Sequence, residues 1–113
     1  MIKIYHNPRC QKSREGLEIL EKSGKEFKII KYLEENPSES ELKEILKLLN
    51  IKPEELIRKN ESIWKENFKG KKLTDEEIVQ AMAKHPNLIE RPIVINNKKA
   101  VIGRPPLLIK SLL

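Results

Sequence analysis

A chain of 113 residues that is 38% hydrophobic, 35% charged and only 4% aromatic has the make-up of a single helix-rich globule with an aliphatic core. Its formal net charge of +6 comes from 23 basic and 17 acidic residues, but the lysines alternate with glutamates and form no basic arm, so a solvated surface is the simpler reading and nucleic-acid binding is disfavoured. No apolar run nears the ~20 residues of a membrane span and the first residues lack the apolar core of a secretory signal, so a cytoplasmic protein with no membrane association is expected.

In chain order, Ile2–Tyr5 reads as a short strand ended by His6-Asn7-Pro8. A helix from Cys10 to about Ser23 follows, with Leu17, Ile19 and Leu20 on its apolar side and Gly24 as a left-handed stop. Phe27–Tyr32 is a second strand, and strand–helix–strand over this length predicts a parallel βαβ unit. The period then changes. Pro37-Ser38 can open a helix carrying Leu42, Ile45, Leu46 and Leu49, and Pro53 suits the first turn of a short helix, PEELI. A further turn is expected over Ser62–Asn67, where Trp64 and Phe68 read as core rather than as a partner surface. Thr74 and Glu77 make a capping box for a helix through Ile78, Met82 and Ala83 that stops at His85-Pro86. Met82 reads as a gap filler and His85 as a helix end. Strand character returns at Ile93–Ile95, with Asn96-Asn97 as a tight turn to Ala100–Ile102. Pro105–Leu113 reads as a closing helix. The order is β-α-β, a helical block over about 38–86, then β-β-α, in one domain spanning 1–113.

The chemistry concentrates at Cys10. It follows a strand and opens a helix, where unpaired first-turn amides favour thiolate over thiol and cradle anions. Arg9 and Lys12 add positive charge, and Ser13 can donate a hydrogen bond. Such surroundings bring a cysteine pKa from ~8.5 into the range ~3.5–7.5. His6 either orients the thiolate or simply ends the strand. As the only cysteine, Cys10 excludes an internal disulfide and a cysteine-rich zinc site; no metal is expected, and any resolving thiol must come from another molecule. Only five basic residues are arginine, and three of them, Arg58, Arg91 and Arg104, lie at element ends where guanidinium forks can converge on an oxyanion. Pro92 must start its strand or sit at an edge.

The blocks IYHNPRCQKSR, LIRKNE, ERPIVI and IGRPP, in this order along nearly the whole chain, resemble the glutaredoxin-coupled arsenate reductases. NPRCQKS, with Arg9 before the cysteine, is closer to the chromosomal members than to the plasmid-type ones. The resemblance implies an α/β thioredoxin-like fold: a mixed four-stranded sheet with a helical insertion. It implies Cys10 as the catalytic nucleophile, His6 as the histidine near the thiol, Arg58, Arg91 and Arg104 as oxyanion ligands, and Pro92 at a cis-proline position. Arsenate is then the substrate, glutathione the co-substrate and glutaredoxin the partner, with no bound cofactor. Two other readings compete. One is a regulator that binds RNA polymerase; Ser13 stands where a Cys-x-x-Cys switch would need its second thiol, so such a regulator would be redox-blind. The other is a monothiol oxidoreductase acting on glutathione mixed disulfides.

Overall fold

Alternating Ile2 and Ile4, both buried, make Ile2–Tyr5 a strand with one face committed to a core (β1). The structure is a computed structural model describing residues 1–113. The next helix (α1, Gln11–Ser23) turns Ser13, Gly16 and Leu20 inward, at three- and four-residue spacing, and ends on Gly24 at φ 73°. Leu17 and Ile19 pack at the margin of that face and are only partly buried. Strand β2 (Phe27–Ile30) lies parallel to β1, with Ile2 opposite Phe27. It is two residues shorter than the pattern FKIIKY suggests: the amides of Glu34 and Glu35 both turn back to the Lys31 carbonyl, which bends the chain out of the ladder.

Strands β3 (Ile93–Asn96) and β4 (Lys99–Ile102) form a hairpin whose first strand runs antiparallel to β1, giving the order β2-β1-β3-β4. This is the mixed four-stranded sheet expected from the sequence. The hairpin turn falls one residue later than Asn96-Asn97. Asn96 stays in the ladder opposite Lys99 and donates from Nδ2 to the Leu112 carbonyl at 2.6 Å, so Asn97, at φ 57°, takes the left-handed position. The closing element, Pro106–Leu112, is a 3-10 rather than an α-helix. Its buried residues, Pro106, Ile109 and Leu112, repeat every third position. Three residues per turn stack them in one stripe, where an α-helix would spread them. One face of the sheet buries Ile2, Ile4 and Val94 against Leu20, Ile109 and Leu112.

The chain divides into two compact units, Met1–Glu35 with Arg91–Leu113, and Asn36–Glu90. The second unit, slightly longer than the expected 38–86, holds α2 (Glu39–Leu49), α3 (Pro53–Leu56), α4 (Ser62–Asn67), α5 (Asp75–Lys84) and a 3-10 turn, Pro86–Leu88. Its helices begin and end on local chemistry. Ser38 Oγ accepts from the Glu41 amide at 3.1 Å, and Asn50, at φ 55°, returns its amide to the Leu46 and Lys47 carbonyls. Thr74 and Glu77 form the reciprocal capping box. Met82 is fully buried, and Trp64, 9% exposed, stacks on Phe68 at 5.4 Å. No helix is long and apolar enough to cross a membrane.

Candidate active site

The segment between β1 and α1 is a turn built around Asn7. The Asn7 carbonyl accepts from the Cys10 amide and its Oδ1 from the Arg9 amide, each at 3.0 Å. An asparagine ahead of proline is well suited to such side-chain closure. The turn delivers Cys10 to the N-cap of α1, with φ −95° and ψ 122°, and its carbonyl takes the Arg14 amide. The sulfur makes no cap hydrogen bond of ordinary geometry. Even so, its surroundings favour the anion. Burial by itself pushes the thiol up, but the Ser13 backbone amide and the Arg91 and Arg104 guanidinium groups more than offset that, and the net position is below an ordinary cysteine.

Arg104 and Arg91 reach the sulfur from the two ends of the β3–β4 hairpin. Nη1 of Arg104 lies 3.9 Å from Cys10 Sγ and donates to the Arg91 carbonyl at 3.0 Å. That second contact fixes an otherwise exposed guanidinium beside the sulfur. Arg91 is itself buried, at 9% exposure. The Arg91–Pro92 and Arg104–Pro105 peptide bonds are both cis; only the first was expected.

His6 makes no hydrogen bond to the sulfur. Its ring, 5% exposed, places Nδ1 2.6 Å from Ser13 Oγ, which also accepts the Asn7 amide at 2.9 Å. Burial, with Arg14 and Lys31 nearby, lowers the His6 pKa and keeps the ring neutral. Nδ1 and the Ser13 hydroxyl share this contact, and its direction follows the tautomer of the ring. The Ser13 hydroxyl is thus engaged by His6 and by the Asn7 amide. The backbone amide of Ser13 serves the sulfur, while its side chain ties His6 and Asn7 to the first turn of α1.

Arg58 lies in the helical unit. Its Nη1 meets Glu90 Oε1 at 2.8 Å and its Nε is 3.8 Å from Glu61 Oε2, while its amide donates to the Leu88 carbonyl. The structure thus brings Cys10, Arg91 and Arg104 together within the sheet unit, with His6 one residue removed through Ser13, and gives Arg58 two carboxylate partners of its own.

Residues 5–112 match the sequence model of the ArsC family. The chain belongs to that family. Among its ArsC relatives, the uncharacterized protein YfgD of Escherichia coli K12 is 47% identical over 107 residues, covering 93% of this chain and 90% of its own. An arsenate reductase of Neisseria meningitidis serogroup A is 42% identical over 106 residues, covering 92% and 91%. A solved arsenate reductase from Vibrio cholerae superposes with a TM-score of 0.94 at 45% identity, over 99% of this chain and 97% of that one. The fold of this ArsC chain is accordingly thioredoxin-like.

Three features of this ArsC site escaped the sequence reading. By its place in the sequence Asn7 marks only a strand end, although Asn-Pro carries the signal of a side-chain-closed turn. Gly16 and Gly103 flank Pro92: a Cβ on either would come within about 3 Å of both Pro92 Cγ and Ile109 Cδ1. A glycine inside a helix is the signal there. Nothing in the sequence singles out Glu90 as the partner of Arg58, 32 positions away. In chemical terms the sheet unit presents a nucleophilic sulfur with two guanidinium groups beside it, an arrangement able to hold a small anion against the sulfur.

Proposed function

We propose that the protein reduces arsenate to arsenite through Cys10. The observation that carries this reading is the depressed Cys10 thiol with Arg104 Nη1 at 3.9 Å from the sulfur and Arg91 on the same group. Membership of the ArsC family supports it. The Cys10 thiolate attacks arsenic(V) and displaces hydroxide or water, forming a sulfur–arsenic bond; the guanidinium groups of Arg91 and Arg104 offset the charge of the remaining oxygens. Arg58 is proposed as a third oxyanion ligand, on the family resemblance. His6 is a positioning residue, holding Ser13 and through it the amide that faces the sulfur.

Reduction of arsenic(V) to arsenic(III) needs two electrons. Two thiol equivalents supply them and leave as a disulfide, with one oxygen of arsenate departing as water. With one cysteine in the chain, external thiols must close the cycle: glutathione enters at the adduct, and glutaredoxin resolves the resulting mixed disulfide. An oxyanion substrate and a glutaredoxin partner in the cytoplasm follow from this scheme. The test is an arsenate-reduction assay with glutathione and glutaredoxin, comparing the intact protein with Cys10→Ser. Turnover lost in the serine variant is expected. No turnover by the intact protein means arsenate is the wrong substrate, and equal activity of the serine variant removes the mechanism.

A further inference from the structure

The segments that carry the sulfur and its two guanidinium groups meet at one packing joint. Cys10 caps α1, Arg91 immediately precedes Pro92, and Arg104 immediately follows Gly103. At the joint α1 contributes Gly16 and the end of β4 contributes Gly103, both buried. A Cβ on Gly16 would stand 2.8 Å from Ile109 Cδ1 and 3.0 Å from Pro92 Cγ, and a Cβ on Gly103 would stand 2.9 Å from each. Backbone freedom does not explain either glycine, since the left-handed glycines of this chain are Gly24 and Gly70. Space explains both. The atoms they face have little room to give: Ile109 is fully buried in the cluster of Ile2, Ile4, Leu20, Val94 and Leu112, and Pro92 is a buried closed ring.

Two hydrogen bonds link the joint to the guanidinium groups. The Gly103 amide donates to the Pro92 carbonyl at 2.8 Å. One residue on, Arg104 Nη1 donates to the Arg91 carbonyl at 3.0 Å and stands 3.9 Å from Cys10 Sγ. Carbon–carbon contacts settle at ~3.5–4.0 Å, so a methyl at 2.9 Å drives Gly103 and Pro92 apart by about 0.5 Å or more. The sulfur contact, already long, has no such margin. We infer that Gly103 and Gly16 are positioning residues: with no side chain at either, the end of β4 and α1 close onto Pro92 and Ile109, and that closure sets the reach of Arg104 Nη1 to the Cys10 sulfur. The inference deepens the reading of Cys10 as an arginine-assisted nucleophile and rests on it, but not on arsenate as the substrate.

The experiment follows iodoacetamide alkylation of the full-length protein across pH, with urea unfolding alongside; Cys10 is the only cysteine, so the signal is its own. Gly103→Ala is expected to raise the pH midpoint of alkylation by about half the rise in Arg104→Ala, because the guanidinium charge stays near while its contact is lost. Gly16→Ala, which meets the same two atoms from α1, is expected to move the midpoint in the same direction and carries the test should Gly103→Ala not fold. Ile109→Val removes the crowded Cδ1. Alone it lowers the urea midpoint and leaves the alkylation midpoint in place; in Gly103→Ala/Ile109→Val, where one methyl is exchanged for another, the alkylation midpoint returns most of the way. Either folded alanine variant with the wild-type midpoint, while Arg104→Ala is raised, overturns the proposal alone. A midpoint that stays raised in the double variant, or that Ile109→Val raises as much, also overturns it, since general loosening of the core then accounts for the shift. If Arg104→Ala itself leaves the midpoint in place, that arginine has no hold on the sulfur, and the reading beneath the proposal falls with it.

Discussion

At Cys10, ionisation is a contest between burial, which favours the neutral thiol, and three donors that favour the anion: the Ser13 amide, Arg91 and Arg104. Removing either guanidinium should therefore raise the thiol pKa, and the pH midpoint of iodoacetamide alkylation should move upward in Arg91→Ala and in Arg104→Ala. A charge-assisted contact at a half-exposed site is worth on the order of 1 kcal/mol, so alkylation at neutral pH should slow several-fold. The same depression is a stability statement. Because the folded-state pKa lies below the unfolded one, the ionised thiol adds stability that is fully present above the ordinary cysteine range and is lost as pH falls through the folded value. The stability advantage of the intact protein over Cys10→Ser should thus grow with pH across that window; an advantage that is flat with pH would mean the sulfur is not held ionised. At this scale much was legible. A cysteine after a strand and before a helix, with few arginines, points to its own chemistry. What could not be read was the partner of the Ser13 side chain, because it depends on the rotation of two side chains in a buried turn.

The element that holds this sulfur, α1, carries a glycine in its interior, and the reason is steric. Ala at an internal helix position is ordinarily more favourable than Gly by ~1 kcal/mol. At Gly16 the added methyl would stand 2.8 Å from Ile109 Cδ1 and 3.0 Å from Pro92 Cγ. Ile109 is fully buried and Pro92 is a rigid ring, so neither yields without repacking, and overpacking of this kind costs ~1–3 kcal/mol. The clash should win: Gly16→Ala should lower the urea midpoint by the equivalent of about 1 kcal/mol, whereas a gain in stability would show that the helix has room to shift. Element boundaries were largely legible, because Gly24, Ser38, Thr74 and Pro86 are residue types that start or stop a helix by their own local chemistry. The closing segment was harder. Over seven residues a 3.0 and a 3.6 repeat diverge little, and the strict Pro106, Ile109, Leu112 spacing is recognisable as a 3-10 stripe once its burial is known.

Across the whole molecule the arginines expected to share one role are divided between the two units. Arg91 and Arg104 belong with Cys10 in the sheet unit, and both contribute to its ionisation. Arg58 belongs to the helical unit, where Glu90 and Glu61 meet its charge. The sequence pattern treats the three alike, since each is an arginine at an element end, and it gives no hint of the carboxylates that distinguish Arg58. This division separates two effects that a single activity assay would merge. Arg58→Ala should leave the pH profile of Cys10 alkylation in place, because the groups that depress the thiol are all in the other unit. If Arg58 is an oxyanion ligand, the same variant should raise the KM for arsenate about tenfold, the equivalent of ~1.4 kcal/mol of lost binding. Arg91→Ala and Arg104→Ala should change both readings, since each serves the sulfur as well as the anion. An Arg58 variant with unchanged KM but a lower unfolding midpoint would assign that arginine to the ion pairs of the helical unit alone, and the oxyanion would then be held by the two guanidinium groups that already stand beside the sulfur.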